Sequence, residues 1–157
     1  MLLWFVATAV LTVHFVFTDP RFDHRFLILG VLLPDVVDGI TGGAWVLHSL
    51  TGAVGLLVVV MLATIGRRPL RKRLIAIPIG VLLHLVFDFA FTSTDVFWWP
   101  FTGGFDGAPL PVVERGWWNV LLEAIGAALL VWSYRRFGLA DPDRRRQFLR
   151  TGQLREI

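Results

Sequence analysis

Five side chains that can bind metal ions or transfer protons interrupt apolar stretches of this sequence. They are Asp35, Asp38, His48, His84 and Asp88. His84 and Asp88 are four residues apart, so on a helix they share one face, one turn apart. Asp35 and Asp38 are three residues apart and share a face in the same way. Zinc accepts imidazole nitrogens and carboxylate oxygens, and a carboxylate-rich set also suits manganese, iron or magnesium.

These acids have no basic partner nearby in the sequence. Residues 26–66 and 74–94 contain no Lys or Arg. A carboxyl group in apolar surroundings is either protonated or held by a cation, and the nearby histidines favour the cation. We therefore predict a divalent metal site, with zinc as the first choice and manganese, iron or magnesium as alternatives.

The five residues have different expected roles. We predict His48, His84 and Asp88 as metal ligands, with Asp35 as a fourth. Asp38 is the candidate catalytic residue, as a general base for a water molecule; it could instead be a ligand or orient an imidazole. A metal ion in such a site can lower the pKa of water to about 7 and polarise a phosphoryl or carbonyl group.

Other polar residues give weaker signals. Ser49 and Thr92 could hydrogen-bond a substrate oxygen, although hydroxyls at helix ends more often bond the backbone. Residues 92–115, which are rich in aromatic side chains and glycine, could cover the site as a lid. Three residues are interpreted singly as structural or solvated: His14, Glu123 and His24.

The composition sets the expected fold class. The chain has 157 residues, of which 55% are hydrophobic and 17% charged, against about 25% charged in soluble domains. Its mean hydropathy is +0.67. These values predict an all-α polytopic membrane protein, with one transmembrane helical domain over 1–138 and a basic tail over 139–157. The absence of cysteine excludes a disulfide framework and a Cys-ligated zinc site.

The positions of the charges predict the individual elements. A membrane-spanning helix needs about 20 apolar residues. The expected spans are 1–18, 44–65, 74–91 and 116–134. Residues 26–38 form a fifth apolar element, either a short tilted helix or a re-entrant one, which gives a bundle of four to five spans.

Lys and Arg predict the orientation and the partners. Basic residues cluster at 67–73 and 135–155, and the positive-inside rule places both clusters in the cytoplasm. Residues 92–115 would then lie outside, next to a belt of tryptophans. We expect a multi-pass protein of the inner membrane with a cytoplasmic C-terminus, in contact with membrane lipids. Because orientation already accounts for the basic residues, the sequence argues against a nucleic-acid partner.

Three segments resemble the YdjM-like (LexA-binding, inner-membrane-associated) family of metal-dependent hydrolases. Residues 32–38, with the sequence LLPDVVD, are similar to its L-L-P-D-x-D element, although here the two acids are three apart. His48-Ser49-Leu50 is similar to the end of its T-H-S-L element. Gly80, His84 and Asp88, followed by Trp99-Pro100, match its G-x-x-x-H-x-x-x-D segment and downstream W-P.

The resemblance covers roughly residues 27–101 and implies a helical membrane protein with a metal-dependent hydrolytic site. Carried over residue by residue, it assigns Asp35, His48, His84 and Asp88 as metal ligands. The depth of the site in the predicted membrane favours an amphiphilic (phospho)ester-type substrate near the outer face. The alternative is a non-enzymatic protein, such as a small proton- or ion-coupled transporter, a subunit or a scaffold.

Overall fold

The computed structural model describes residues 1–19, 21–105 and 116–154, and every regular element in them is helical. The helices are α1 (Leu2–Phe17), α2 (His24–Thr41), α3 (Leu50–Ala63), α4 (Arg68–Leu74), α5 (Ala76–Phe87), α6 (Thr94–Phe97), α7 (Trp118–Arg136) and α8 (Pro142–Thr151). Short 3-10 turns lie at Val46–His48 and Ala90–Thr92. The all-helical part of the prediction is confirmed.

The predicted membrane bundle is wrong. No helix within residues 1–19, 21–105 or 116–154 is both long enough and apolar enough to cross a bilayer. α1, α3 and α5 have 16, 14 and 12 residues, where a crossing needs about 20. The four to five transmembrane spans are therefore not supported. Three further predictions depended on these spans and are not supported either: the multi-pass inner-membrane location, the cytoplasmic C-terminus and the interfacial tryptophan belt.

The helix boundaries explain this error. The apolar run at 44–65 does not form one helix, because residues 46–48 form a 3-10 turn and α3 begins only after Ser49. The element expected at 26–38 is longer than predicted, with 18 residues, and it includes Arg25, Asp35 and Asp38. It begins where the Asp23 carboxylate accepts the backbone N–H of Arg25, as helix N-caps do.

Five helices form the bundle, and their directions define two ends. α1, α3 and α7 start at the end where α2 and α5 finish. Contacts fix this arrangement: Glu123 of α7 accepts the N–H of Leu3, and the Trp4 indole donates to the carbonyl of Phe87, 3.3 Å away. We call this end the carboxylate end, because it contains Asp38, Asp88 and Glu123, and the opposite end the basic end.

The main core lies between α1, α2 and the ends of α7 and α8. Its buried side chains are Phe5, Ala9, Val10, Val13, Leu27, Val31, Ala76, Phe137 and Leu154. A second cluster joins α3 to α5. Together they fix α1, α2, α3 and α5 relative to one another, and these helices or the turns beside them carry the candidate site.

Residues 139–154 pack back onto the start of α2. The carbonyl of Gly152 accepts both the backbone N–H and the Nδ1–H of His24, at 2.9 and 3.1 Å. Arg25 donates to the carbonyl of Leu149 at 2.8 Å. His24, which the sequence placed in solvent, is buried with 2% of its surface exposed. The segment predicted as a tail thus contributes to the basic end as far as residue 154.

Candidate metal centre

His84 is held in one orientation by a backbone carbonyl. Its Nδ1 lies 2.8 Å from the carbonyl oxygen of Val31 on α2. A carbonyl can only accept, so Nδ1 carries the hydrogen, and in the neutral ring Nε2 is an acceptor. The side chain is fully buried and its ring lies 4.2 Å from the ring of Phe5. This arrangement fixes both the tautomer and the direction in which Nε2 points.

His48 is oriented in the same way by a carboxylate. Its Nδ1 lies 2.8 Å from Oδ2 of Asp38, although the N–H points off the line between the two atoms. The other oxygen of Asp38 accepts the backbone N–H of Trp45 at 3.1 Å. Both side chains are almost fully buried. Asp38 therefore lies behind the His48 ring, on the side away from His84.

The two imidazoles meet through their Nε2 atoms, which are 3.2 Å apart. Two ligands bound to zinc at 2.0–2.1 Å in a tetrahedral arrangement are about 3.3 Å apart, so the observed separation matches that geometry. The rings are nearly perpendicular, at 82°. The two facing nitrogens are therefore close enough to bind one cation.

Two further carboxylates lie beside this pair. Asp35 Oδ1 is 3.6 Å from His84 Nε2, and Asp88 Oδ2 is 3.8 Å from His48 Nε2. Ligand atoms of Asp35, His48 and His84 all lie within 4.8 Å of one another, so this group could hold a metal ion. Asp88 is buried, whereas the Asp35 side chain is 36% exposed. Solvent therefore reaches the group from the Asp35 side.

The electrostatic environment of His48 favours a positive charge. Burial alone lowers the pKa of His48, but the hydrogen bond and charge of Asp38 oppose this effect. The charges of Asp88 and Asp35 add to them, and the pKa is raised above its ordinary value of 6.5. The same three carboxylates would stabilise a bound metal cation.

Two glycines allow α2 and α5 to approach closely enough to build the site. A Cβ atom on Gly30 would collide with the carbonyl of Ile77. A Cβ on Gly80 would collide with the backbone of Leu27 and Val31. Gly80 precedes His84 by one helical turn. The close approach of the two helices at Gly80 therefore sets the distance between the His84 ring and the Val31 carbonyl.

Pro34 is the second backbone feature near the site. It lies inside α2 and is buried. A proline in a helix removes one backbone hydrogen bond and displaces the carbonyl four residues before it. The displaced carbonyl belongs to Gly30, next to Val31, whose own carbonyl accepts the His84 ring hydrogen.

The structure brings together all five residues that the sequence selected. Ser49 does not join this cluster. Its hydroxyl donates to the carbonyl of Val46 and accepts the backbone N–H of Gly52, as the N-cap of α3. The hydroxyl of Thr92 donates to the carbonyl of Phe89. Of the expected lid over 92–115, residues 106–115 lie outside the described part of the chain.

Two contributors were not found from the sequence: the carbonyl of Val31 and the ring of Phe5. A backbone acceptor carries no side-chain signal, and Phe5 is one of many apolar residues in α1.

Comparisons of the chain with known protein families, with curated proteins and with solved structures find no match.

Proposed function

We propose that this protein is a metal-dependent hydrolase. The ion would be held by His48, His84 and Asp35, which leaves one position of a tetrahedral zinc ion for water or, in its place, for Asp88. The observation that carries the proposal is the 3.2 Å separation of the His48 and His84 Nε2 atoms. Behind them, His84 Nδ1 is bonded to the Val31 carbonyl and His48 Nδ1 lies 2.8 Å from the Asp38 carboxylate.

Zinc is the first choice of metal. Its usual catalytic sites combine two or three imidazoles with a carboxylate and leave one position for water or substrate. Manganese, iron and magnesium remain alternatives because three carboxylates lie in the cluster. A divalent ion here would supply a water molecule with a pKa of about 7 and polarise the scissile group.

The chain's own residues have separable tasks in this proposal. Asp38 contacts the far side of His48, so it positions that imidazole and raises its basicity. Asp88, buried beside His48 Nε2, would bind the ion or accept a proton from the attacking water. Asp35 borders solvent and marks the side from which a substrate enters.

Two exposed apolar residues, one adjacent in sequence to Asp35 and one bonded through its backbone to Asp38, support an amphiphilic substrate. Val36 follows Asp35 and is 55% exposed. Trp45, whose backbone N–H donates to Asp38, is 46% exposed. An apolar part of an ester could lie on these side chains while its scissile group meets the cluster. We therefore propose a (phospho)ester with an apolar group as the substrate class.

A proton- or ion-conducting role is less well supported. Such a path needs titratable groups spaced along the bundle. Glu123 is instead bonded to the first N–H groups of α1, and His14 packs against Phe137 at the basic end. The five candidate residues form one cluster, which suits a single bound ion.

Hydrolysis assays test this proposal. The purified chain, loaded with zinc or manganese, is assayed with p-nitrophenyl acetate, bis(p-nitrophenyl) phosphate and a short-chain phospholipid. We expect metal-dependent turnover of at least one ester that is lost in His84→Ala. His14→Ala, a histidine change outside the cluster, is the matched control and should keep the activity. Equal rates in wild type and His84→Ala would reject the hydrolase.

A further inference from the structure

The cationic side chains of the described chain are concentrated at one end of the bundle. All thirteen Lys and Arg in residues 1–19, 21–105 and 116–154 lie at the basic end. They belong to the start of α2, to 67–73 between α3 and α5, to the end of α7 and to α8. The acids at this end are Asp19, Asp23, Asp141 and Asp143. The bundle therefore has a strongly positive end.

The densest part of this charge is α4 with the residue before it. Its cations are Arg67, Arg68, Arg71, Lys72 and Arg73. No residue of α4 is buried. None of these five side chains forms an ion pair with an acid in the part of the chain that the structure describes. Their charge is therefore available to an external partner.

Large apolar side chains are exposed at both ends of the bundle, but at the basic end they lie beside a dense group of cations. Six of those described at the basic end are more than half exposed: Phe15, Val16, Phe17, Leu62, Ile65 and Leu149. They come from the last turns of α1 and α8 and from the end of α3 and the turn after it. Phe15 packs against Trp132 near the end of α7, which adds a further aromatic ring to this border. Exposed apolar groups beside unpaired cations are typical of surfaces that insert into a lipid headgroup layer.

We propose that the basic end docks on the surface of an anionic phospholipid layer. The cations of α4 would contact the lipid phosphates, and the exposed apolar side chains would enter the headgroup region. This is a contact with the layer's surface, made by one end of the bundle, and it requires no helix to cross the apolar core.

The apolar side chains distinguish lipid from nucleic acid. A nucleic-acid interface is polar and contacts phosphates and base edges, and it gives exposed aliphatic groups such as Leu62 and Ile65 no apolar partner. Both residues come immediately before the cations of α4, so any partner of that helix must also cover them. A lipid headgroup layer accommodates both kinds of group.

The proposal is independent of the hydrolytic site. His84 lies eight residues along α5 from Ala76, so it is about 12 Å further from the basic end. A chain docked in this way presents the Asp35 opening away from the lipid phosphates. Loss of lipid binding should therefore leave metal binding unchanged.

Vesicle co-sedimentation tests the docking. The purified chain is mixed with vesicles of phosphatidylcholine alone or of phosphatidylcholine with phosphatidylglycerol, at low and high salt. We expect binding to the anionic vesicles only, weakened by salt. Each cation near such a surface contributes about fivefold to partitioning, so the triple variant Arg67→Gln, Arg68→Gln, Lys72→Gln should bind on the order of 100-fold more weakly. Ile65→Ser should also weaken binding, without changing its salt dependence.

Two controls separate docking from misfolding and from general hydrophobic adsorption. Phe101→Ser removes an apolar side chain that is 84% exposed and lies outside the basic end, and it should bind like wild type. The triple variant should keep its helical circular dichroism and its metal content. Equal binding to both kinds of vesicle would overturn the proposal. So would capture of duplex DNA by the same cations with no vesicle binding.

Discussion

The Nε2 atoms of His48 and His84 face each other at 3.2 Å, while each Nδ1 lies 2.8 Å from an oxygen atom, that of Asp38 and that of Val31 respectively. When both rings carry their hydrogen on Nδ1, this arrangement points two nitrogen lone pairs at one another, which is repulsive. A proton or a metal ion between them removes the repulsion. The pair is therefore a site for which protons and metal ions compete.

The pH dependence of stability should have opposite signs without and with bound metal. The folded chain raises the pKa of His48 above 6.5, so without metal it binds more protons than the unfolded chain between 6.5 and that higher value. Its free energy of unfolding should fall as the pH rises through this interval. With zinc bound, deprotonation favours the ion, so stability should rise with pH over the same interval.

Urea unfolding of wild type and His48→Gln, each with and without zinc, measures this effect. The difference between their free energies of unfolding gives the contribution of His48, because the contribution of His24 is the same in both proteins. Burial lowers the pKa of His24, with the opposite effect on stability: its contribution is lost as the pH falls below 6.5. A wild-type minus variant difference that is independent of pH would show that His48 gains no proton on folding.

Asp38→Asn should weaken the site without removing it. The amide keeps the size of the side chain but replaces the charged partner of His48 Nδ1, and partners of this kind contribute about 10- to 100-fold to metal affinity. Zinc affinity, measured by competition with a chromogenic chelator, should fall by that factor. Asp95→Asn, an exposed acid outside the cluster, is the matched control. A loss as large as that in His84→Ala would instead make Asp38 a direct ligand.

Gly80→Ala should disturb the site through the backbone. The added methyl group would meet the backbone of Leu27 and Val31, and such overpacking costs about 1–3 kcal/mol. Since Val31 holds the His84 ring, zinc affinity should fall as well. Thermal unfolding and chelator competition measure both effects.

Gly55→Ala is the control for this change. A Cβ at Gly55 meets nothing within 4 Å, so alanine should be neutral or stabilise α3 by up to about 1 kcal/mol. Equal behaviour of the two variants would show that α2 and α5 do not depend on close approach at Gly80.

The sequence predicted the cluster because its signal is local. The spacing between His84 and Asp88 and that between Asp35 and Asp38 placed each pair on one helix face. The absence of Lys and Arg around them then pointed to a shared partner. His48 entered through its position near the start of the next apolar run. These are properties of one or two turns of helix, which a sequence pattern describes directly.

Helix lengths and long-range contacts could not be predicted in the same way. Hydropathy does not show that residues 46–48 leave the helix or that α5 ends at Phe87, and the membrane prediction failed for this reason. The roles of His24 and Glu123 depend on partners more than 100 residues away, Gly152 and Leu3. Only the folded arrangement brings such groups together.

Metal content tests the central claim most directly. The chain is purified without chelators, equilibrated with zinc and analysed by mass spectrometry beside His48→Ala, His84→Ala and the control His14→Ala. We predict about one zinc per chain in wild type and in His14→Ala, and none in the other two variants. Zinc-free wild type, or unchanged zinc in His84→Ala, would contradict a metal site between His48 and His84.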